Sequence, residues 1–236
     1  MNDKFRGGES LVSVQALPSP TASSSPAAAL GANRVLRDTW LLLSATLFFS
    51  AAVTAASVAL KLPHPGIIVT LIGFFGLLYA TASLRNSGWG IAAVFALTGF
   101  MGYTLGPIVS HYLALPNGHQ VVGMAMGGTA AIFVGLSAYA TASRKDFSFM
   151  GGFLLAGVIV AFMASLGAIF LQIPALSLAV SAVFVLLSGG LILFETSRII
   201  HGGETNYITA TVSLYVSIYN LFSSLLALAG FGNSSD

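Results

Sequence analysis

Seven long apolar segments follow one another along this chain, and short breaks rich in polar residues, glycine or proline separate them. As α-helices rising about 1.5 Å per residue, they match a hydrocarbon layer about 30 Å thick, the shortest of them only just. The pattern predicts an all-α integral membrane protein, a seven-transmembrane-helix bundle in which sequential helices are antiparallel. The predicted spans are about 39–60, 66–84, 89–112, 119–142, 150–171, 176–198 and 206–231.

The first 33 residues differ in composition from the rest of the chain. They are polar, contain three prolines and include a serine run at 23–25. Such a segment buries too little apolar surface to offset the entropy lost on ordering. It also lacks the apolar core after a basic start that a signal peptide needs. We expect a disordered tail over 1–33 that stays on the mature protein, followed by a transmembrane domain over 34–236.

Polar residues recur every three or four positions along the seventh segment, which places them on one face of a helix. Such a face is unfavourable against lipid, because each unpaired polar group there costs about 1–3 kcal/mol or more. We therefore predict that the seventh helix lies centrally in the bundle. Its polar face then makes packing hydrogen bonds or lines an ion path. The residues are Asn206, Thr209, Ser213, Ser217, Asn220 and Ser224.

The composition supports the membrane assignment and excludes several kinds of functional site. Charged residues make up 7% of the chain, against about 25% in a typical soluble domain. Hydrophobic residues make up 56%, and the mean hydropathy is +0.90. The absence of cysteine excludes disulfides, thiolate metal sites and thiol nucleophiles. The net charge is only +2, and the nine Lys and Arg residues are spread over segments that flank the predicted spans. We therefore predict no nucleic-acid partner.

Basic residues are distributed unevenly between the two sides of the predicted bundle. Eight lie in the tail or in breaks on the side of the amino terminus, whereas only Lys61 lies on the other side. Cytoplasmic loops of membrane proteins carry an excess of lysine and arginine. We therefore expect a cytoplasmic amino terminus and, after seven spans, a carboxyl terminus on the outer side. The eight residues are Lys4, Arg6, Arg34, Arg37, Arg85, Arg144, Lys145 and Arg198.

Glu195 is the one acidic residue that lies inside an apolar segment. An ionisable residue within a span is a functional candidate by default, here as the gate of an ion path. Arg198 follows three residues later, about 4.5 Å along a helix, and offers another interpretation in which the two pair near the cytoplasmic interface. The sequence is compatible with both.

The third segment carries a candidate packing surface or hinge. Gly99, Gly102 and Gly106 share one helix face, where they would let another helix approach closely. Pro107 lacks a backbone N–H, so it frees a carbonyl and favours a kink. These residues therefore either pack against a neighbouring helix or form a hinge that gates a pore.

Motifs of catalysis are not found. The chain has no P-loop, nucleophile elbow, HExxH or dinucleotide motif. Its four histidines lack the spacing of metal ligands. We therefore predict that the protein is not an enzyme and binds no cofactor or metal. The histidines are His64, His111, His119 and His201.

Five sequence blocks form a recognisable pattern. They read TGFMGYTLGPI at 98–108, RKDFSFMGG at 144–152, FET at 194–196, IIHGGETNYI at 199–208 and SLYVSIYNLF at 213–222. Together they resemble the signature segments of the Bax inhibitor-1 family, and the similarity extends over about 35–230.

The resemblance implies a bundle whose seventh helix is enclosed by the other six. It also implies a bacterial inner-membrane protein with a cytoplasmic amino terminus and a periplasmic carboxyl terminus. Its implied partner is the ATP-dependent membrane protease FtsH, which it would bind and inhibit and of which it would also be a substrate.

A pH-sensitive calcium leak is the alternative function that the resemblance implies. Some bacterial members resembling this chain conduct calcium through two carboxylates on the sixth and seventh helices that share a proton. Glu195 occupies the position of the sixth-helix carboxylate, and Arg198 lies nearby in the sequence. The position of the seventh-helix carboxylate is occupied by Ser217, which lies between Ser213 and Asn220. Two adjacent carboxylates raise the pKa of one of them, which a hydroxyl cannot do. The expected proton switch is thus weakened, and a calcium, other cation or proton leak stays the alternative.

Overall fold

The computed structural model describes residues 26–232, and within them the chain forms seven long α-helices. A 3-10 turn, Ser148–Met150, precedes the fifth helix. All seven helices are long and apolar enough to cross a membrane, so the predicted seven-helix membrane bundle is confirmed. The helices are α1 Pro26–Ala59, α2 Ile67–Leu84, α3 Trp89–Leu113, α4 Gly118–Ser143, α5 Gly151–Leu171, α6 Pro174–Ile200 and α7 Tyr207–Gly232.

The predicted boundaries agree with helices α2 to α7 to within two residues. Helix α1 differs, because it begins at Pro26, inside the segment that was predicted to be a disordered tail ending at residue 33. Proline is favoured at the first position of a helix, and the alanines at 27–29 have the highest helix propensity. The prediction for residues 1–25 lies outside the described residues.

The antiparallel order of the helices gathers the turns at two ends of the bundle. We call one the basic end: it holds the start of α1 and the α2–α3, α4–α5 and α6–α7 turns. The opposite end holds the α1–α2, α3–α4 and α5–α6 turns, and Lys61 is its one Lys or Arg residue among the described residues. The basic end carries six in the described part of the chain: Arg34, Arg37, Arg85, Arg144, Lys145 and Arg198.

Helix α7 lies at the centre of the bundle, as predicted. Between residues 207 and 230 none of its residues is exposed. It packs against α1, α2, α3, α4 and α6, but among the described residues it makes no contact with α5. Helix α5 packs on the outer side of α6, and the ring of Phe162 meets Phe75 of α2 edge-on at 6.2 Å. Enclosure by all six other helices is therefore wrong: five helices enclose α7.

Two tyrosines of α7 hold it to its neighbours. The hydroxyl of Tyr215 donates to the Thr98 carbonyl of α3 at 3.2 Å, so it accepts the 2.5 Å bond from Ser50 Oγ of α1. One turn on, the Tyr219 hydroxyl lies 3.3 Å from Thr104 Oγ1 of α3. Because a tyrosine hydroxyl in an apolar interior needs a partner, these bonds fix the rotation of α7.

The glycine face of α3 packs directly against α1. A Cβ at Gly102 would lie 2.6 Å from the Ser50 carbonyl oxygen, and one at Gly99 would lie 2.8 Å from the Phe49 ring. A Cβ at Gly106 would collide with Ser57. The backbones are close enough for α1 to bond α3 directly, since Thr54 Oγ1 donates to the Gly102 carbonyl at 2.9 Å. The structure thus places these glycines in a packed helix interface.

Pro107 interrupts the hydrogen bonds of α3, and α1 compensates for it. Proline has no N–H, so the carbonyl four residues earlier, that of Tyr103, loses its partner within the helix. Ser57 Oγ of α1 donates to this carbonyl at 3.3 Å. The carbonyl freed by Pro107 is therefore part of the α1–α3 interface.

Replacing Gly102 by alanine should destabilise the bundle, because the new methyl group would meet the α1 backbone, which cannot move aside alone. We expect the free energy of unfolding to fall by about 1–3 kcal/mol. Gly76→Ala on α2 is the matched control, since a Cβ there meets nothing within 4 Å. Thermal unfolding in detergent measures both variants. Equal unfolding temperatures for the two would contradict the close α1–α3 packing.

Candidate functional site

The polar residues of the basic end concentrate where α6 ends and α7 begins. Gly202 takes a positive φ of 74°, a conformation that glycine adopts without strain, and ends α6. The chain then turns sharply, since the N–H groups of Gly203 and Glu204 both donate to the Arg198 carbonyl, at 2.8 and 3.1 Å. This turn brings Glu204 back over the last turn of α6.

Arg198 lies between two buried carboxylates, and we call these three residues the Arg198 cluster. Its guanidinium is 3.4 Å from Glu195 Oε2 and 3.4 Å from Glu204 Oε2. It also lies 5.4 Å from the centre of the Phe194 ring. The side chains of Glu195 and Glu204 are 9% and 11% exposed. Of the two interpretations of Glu195 given above, the structure places it in the pair with Arg198.

Glu204 is a site residue that was not identified from the sequence, because it lies outside the apolar segments. Only the glycine turn brings it to Arg198, and no helical spacing indicates this contact. A cue was available in the sequence, since an acid before a helix start satisfies free N–H groups. Glu204 Oε1 does accept the N–H of Asn206 at 2.9 Å.

Asn206 caps α7 and links it to the α2–α3 turn. Its Oδ1 accepts the N–H groups of Ile208 and Thr209, at 3.0 and 3.1 Å, as a helix N-cap does. Its Nδ2 donates to the Arg85 carbonyl at 3.1 Å and to Asn86 Oδ1 at 2.9 Å. Assigning Asn206 to the polar face of the helix was therefore wrong, because it precedes the helix and fastens its start.

Ser197 and His201, one helical turn apart on α6, fasten the α4–α5 turn. Ser197 Oγ accepts the N–H of Phe147 at 3.0 Å and donates to the Lys145 carbonyl at 3.2 Å. His201 Nε2 lies 3.0 Å from the Arg144 carbonyl oxygen. Neither side chain was a candidate from the sequence, because the carbonyls that they bond lie about 50 residues away along the chain. The end of α6 thus holds the turn by its backbone.

Asp146 is the exposed acid of the α4–α5 turn. Its Oδ1 accepts the N–H of Ser148 at 2.8 Å. Hydrogen bonds donated by the side chain of Ser148 and, to a smaller extent, by its backbone N–H lower the pKa of the Asp146 carboxyl. The nearby His201 lowers this pKa further. A lowered folded-state pKa means that any stabilisation is present at neutral pH and is lost only as the pH falls below the ordinary carboxyl range. Asp146 is therefore ionised at neutral pH.

The remaining members of the predicted intramembrane polar cluster do not join Glu195. Ser217 is 2% exposed, and its Oγ donates within α7 to the Ser213 carbonyl at 2.9 Å. Asn220 is half-buried. Within the described part of the chain no hydrogen bond connects Glu195 with these three residues. The structure thus separates the Arg198 cluster at the end of α6 from the hydrogen bond between Ser217 and the Ser213 carbonyl on α7.

The polar side chains of the basic end hold three turns together. Among residues 26–232 no group of three His, Asp or Glu side chains is placed to hold a metal ion. The polar side chains described above bind backbone groups or pair with Arg198. Their combined effect is to join the α2–α3, α4–α5 and α6–α7 turns by hydrogen bonds and ion pairs.

Arg198→Met should destabilise the protein, because it leaves Glu195 and Glu204 buried without their cation. We expect the free energy of unfolding to fall by about 1–3 kcal/mol, since buried charged acceptors lose their partner. Arg34→Met is the control, because Arg34 is 81% exposed and its pair with Asp38 is a surface ion pair. Adding Glu195→Gln to Arg198→Met should restore part of the loss in thermal unfolding. No difference between Arg198→Met and Arg34→Met would contradict this role.

Comparisons with known proteins agree with this architecture. The model of the family described as Inhibitor of apoptosis-promoting Bax1 matches residues 32–236. The Escherichia coli strain K12 protein named Modulator of FtsH protease YccA is 56% identical over 204 residues, which cover 86% of this chain and 93% of that protein. The Escherichia coli O6:H1 protein named Inner membrane protein YccA matches over the same shares at 56% identity.

A more distant relative extends the match. The Vibrio cholerae serotype O1 protein named Uncharacterized membrane protein is 44% identical over 220 residues, which cover 93% of this chain and 99% of that protein. The family model matches from within α1 to beyond the end of α7. The chain therefore belongs to the Bax inhibitor-1 family.

Proposed function

We propose that this protein is a multi-pass inner-membrane protein that binds the membrane protease FtsH and inhibits it. The observation that carries the proposal is the 56% identity over 93% of a protein named Modulator of FtsH protease. The inner-membrane location rests on the name of a second relative, Inner membrane protein YccA. The three relatives described above are not named as enzymes. Regulation by binding needs a surface of defined shape, and the polar groups of the basic end hold its turns in place.

The orientation that we propose places the basic end in the cytoplasm and the carboxyl terminus in the periplasm. Six lysine and arginine residues of the described chain lie at the basic end and one at the opposite end. Membrane insertion retains lysine and arginine on the cytoplasmic side. This orientation also places residues 1–25 on the cytoplasmic side, next to the start of α1. They form the proposed starting point for degradation of this protein by the protease.

Reconstitution with FtsH in proteoliposomes tests the proposal. An equimolar amount of this protein should bind the protease and slow its degradation of a second membrane protein, because the two compete for it. A seven-helix membrane protein of another family, at the same concentration, is the control. An unchanged degradation rate together with no co-purification of the two proteins would refute the proposed function.

The same reconstitution addresses the protein as a substrate. A variant lacking residues 2–25 keeps all of α1, which begins at Pro26. It should be degraded several-fold more slowly than the full chain, because an ATP-dependent protease engages an accessible terminal segment. Equal rates would show that residues 2–25 are not the starting point.

A cation leak is the second candidate, and the buried carboxyl group of Glu195 within a span favours it. Two observations weigh against it: Ser217 stands where the second acid of a proton switch is expected, and Glu195 is paired with the cation Arg198. Liposomes loaded with a calcium dye or a pH dye compare the protein with Glu195→Gln. If Glu195 is a gate, flux should change several-fold in the variant. No flux, or equal flux in both, excludes this role.

A further inference from the structure

We propose that the α4–α5 turn, with Arg144 and Lys145 at its tip, is the surface that docks on an acidic protein surface of the protease partner. The inference rests on the proposed function for the partner and on the proposed orientation for the compartment. It adds the part of this chain that makes the contact and the chemistry of the surface that it recognises. The turn fixes the backbone of both residues and leaves both charges exposed.

The backbone of the turn is held at three polar groups between residues 144 and 147. His201 Nε2 lies 3.0 Å from the Arg144 carbonyl oxygen, Ser197 Oγ donates to the Lys145 carbonyl at 3.2 Å, and the Phe147 N–H donates to Ser197 Oγ at 3.0 Å. Ser197 is 0% exposed, so its hydroxyl has a fixed position. Two side chains of α6 thus hold a turn that belongs to two other helices.

The charged side chains of the turn are free, in contrast to other cations of the basic end. Arg144 and Lys145 are exposed, and neither forms an ion pair within the described part of the chain. Arg34 and Arg37 pair with Asp38 instead. Asp146, between the two basic residues and Phe147, turns its carboxylate to the N–H of Ser148. Two cations that form no ion pair among the described residues therefore project from an anchored backbone.

Exposed cations outnumber exposed acids at the basic end. Glu195 and Glu204 are both buried against Arg198, so neither carboxylate lies on the surface beside Arg144 and Lys145. Arg85 is exposed and lies on the α2–α3 turn, which Asn206 fastens. A surface on which cations outnumber acids attracts a negatively charged partner and raises the rate of association.

Fixed geometry favours a folded acidic surface over lipid headgroups as the occupant. Anionic lipids attract basic residues wherever they lie near the membrane surface, and flexible turns suffice for this. Holding a backbone in its bound conformation lowers the cost of binding only when the partner presents charges at defined positions. The Ser197 and His201 contacts supply such preorganisation. The opposite end has one basic residue, Lys61, among the described residues, and it provides the control position.

Charge reversal tests the surface directly. The full-length protein in nanodiscs is titrated with FtsH, and its dissociation constant is compared with those of the Arg144→Glu/Lys145→Glu and Lys61→Glu variants. The double variant should bind about tenfold more weakly or worse at about 50 mM salt and differ less at about 300 mM, since salt screens surface charges. Lys61→Glu should bind like the wild type. Equal affinity of the double variant and the wild type would overturn the proposal.

Ser197 and His201 are positioning residues, and a second measurement addresses them. His201→Ala should weaken binding several-fold while the unfolding temperature changes little, because His201 is exposed. His201→Gln should recover affinity, because its amide can donate to the Arg144 carbonyl. Ser197→Ala should increase hydrogen exchange at the Phe147 amide. Failure of His201→Ala to change either binding or exchange in the turn would overturn the positioning role.

The outcomes separate this inference from the proposed function. If the wild type binds FtsH and the double variant binds equally well, the α4–α5 turn is not the docking surface while the regulatory function stands. If the wild type does not bind at all, the proposed function itself fails. Nanodiscs of zwitterionic and of phosphatidylglycerol-containing lipid complete the design. The proposal would be overturned if FtsH bound only in nanodiscs with anionic lipid and charge reversal weakened binding only there, because the turn would then bind lipid headgroups.

Discussion

The burial of α7 is the constraint on which the rest of the structure depends. A helix with no exposed residue over 207–230 must pair most of its polar groups with protein, since no water is available in the hydrocarbon layer. Tyr215 and Tyr219 do this by bonding α1 and α3, while Ser217 donates within its own helix. These bonds require α1 and α3 to lie close together, and the glycine face of α3 allows that approach.

The same requirement organises the basic end. Helix α7 needs an N-cap, and Asn206 provides it while also bonding the α2–α3 turn. Helix α6 ends in a glycine turn that places Glu204 beside Arg198, so that one cation pairs with two buried carboxylates. From the same helix, Ser197 and His201 hold the α4–α5 turn. Three turns from distant parts of the sequence thereby form one polar layer.

This layer explains why a protein with so few charged residues can still have a specific surface. Glu195 and Glu204 face inward and several cations face outward, so the charge pattern follows from packing and not from composition. A regulator that acts by binding needs a surface whose charges keep fixed positions, whereas a channel needs a polar path through its centre. Within the described residues the α7 hydroxyls of Tyr215, Ser217 and Tyr219 bond to protein groups, and the buried carboxylate of Glu195 is paired with Arg198.

The sequence by itself determined the class of protein, the positions of helices α2 to α7 and the central place of α7. These follow from hydropathy and from polar spacing along single helices, which are local properties. It did not determine the start of α1, where the alanines after Pro26 continue the helix. Only the tertiary structure decided that α5 lies outside α6, that Glu204 completes the Arg198 cluster and that Ser197 and His201 fasten the α4–α5 turn. The physical reason is that these contacts join residues across turns and between helices, where the rotation of each helix and the path of each turn set the distances.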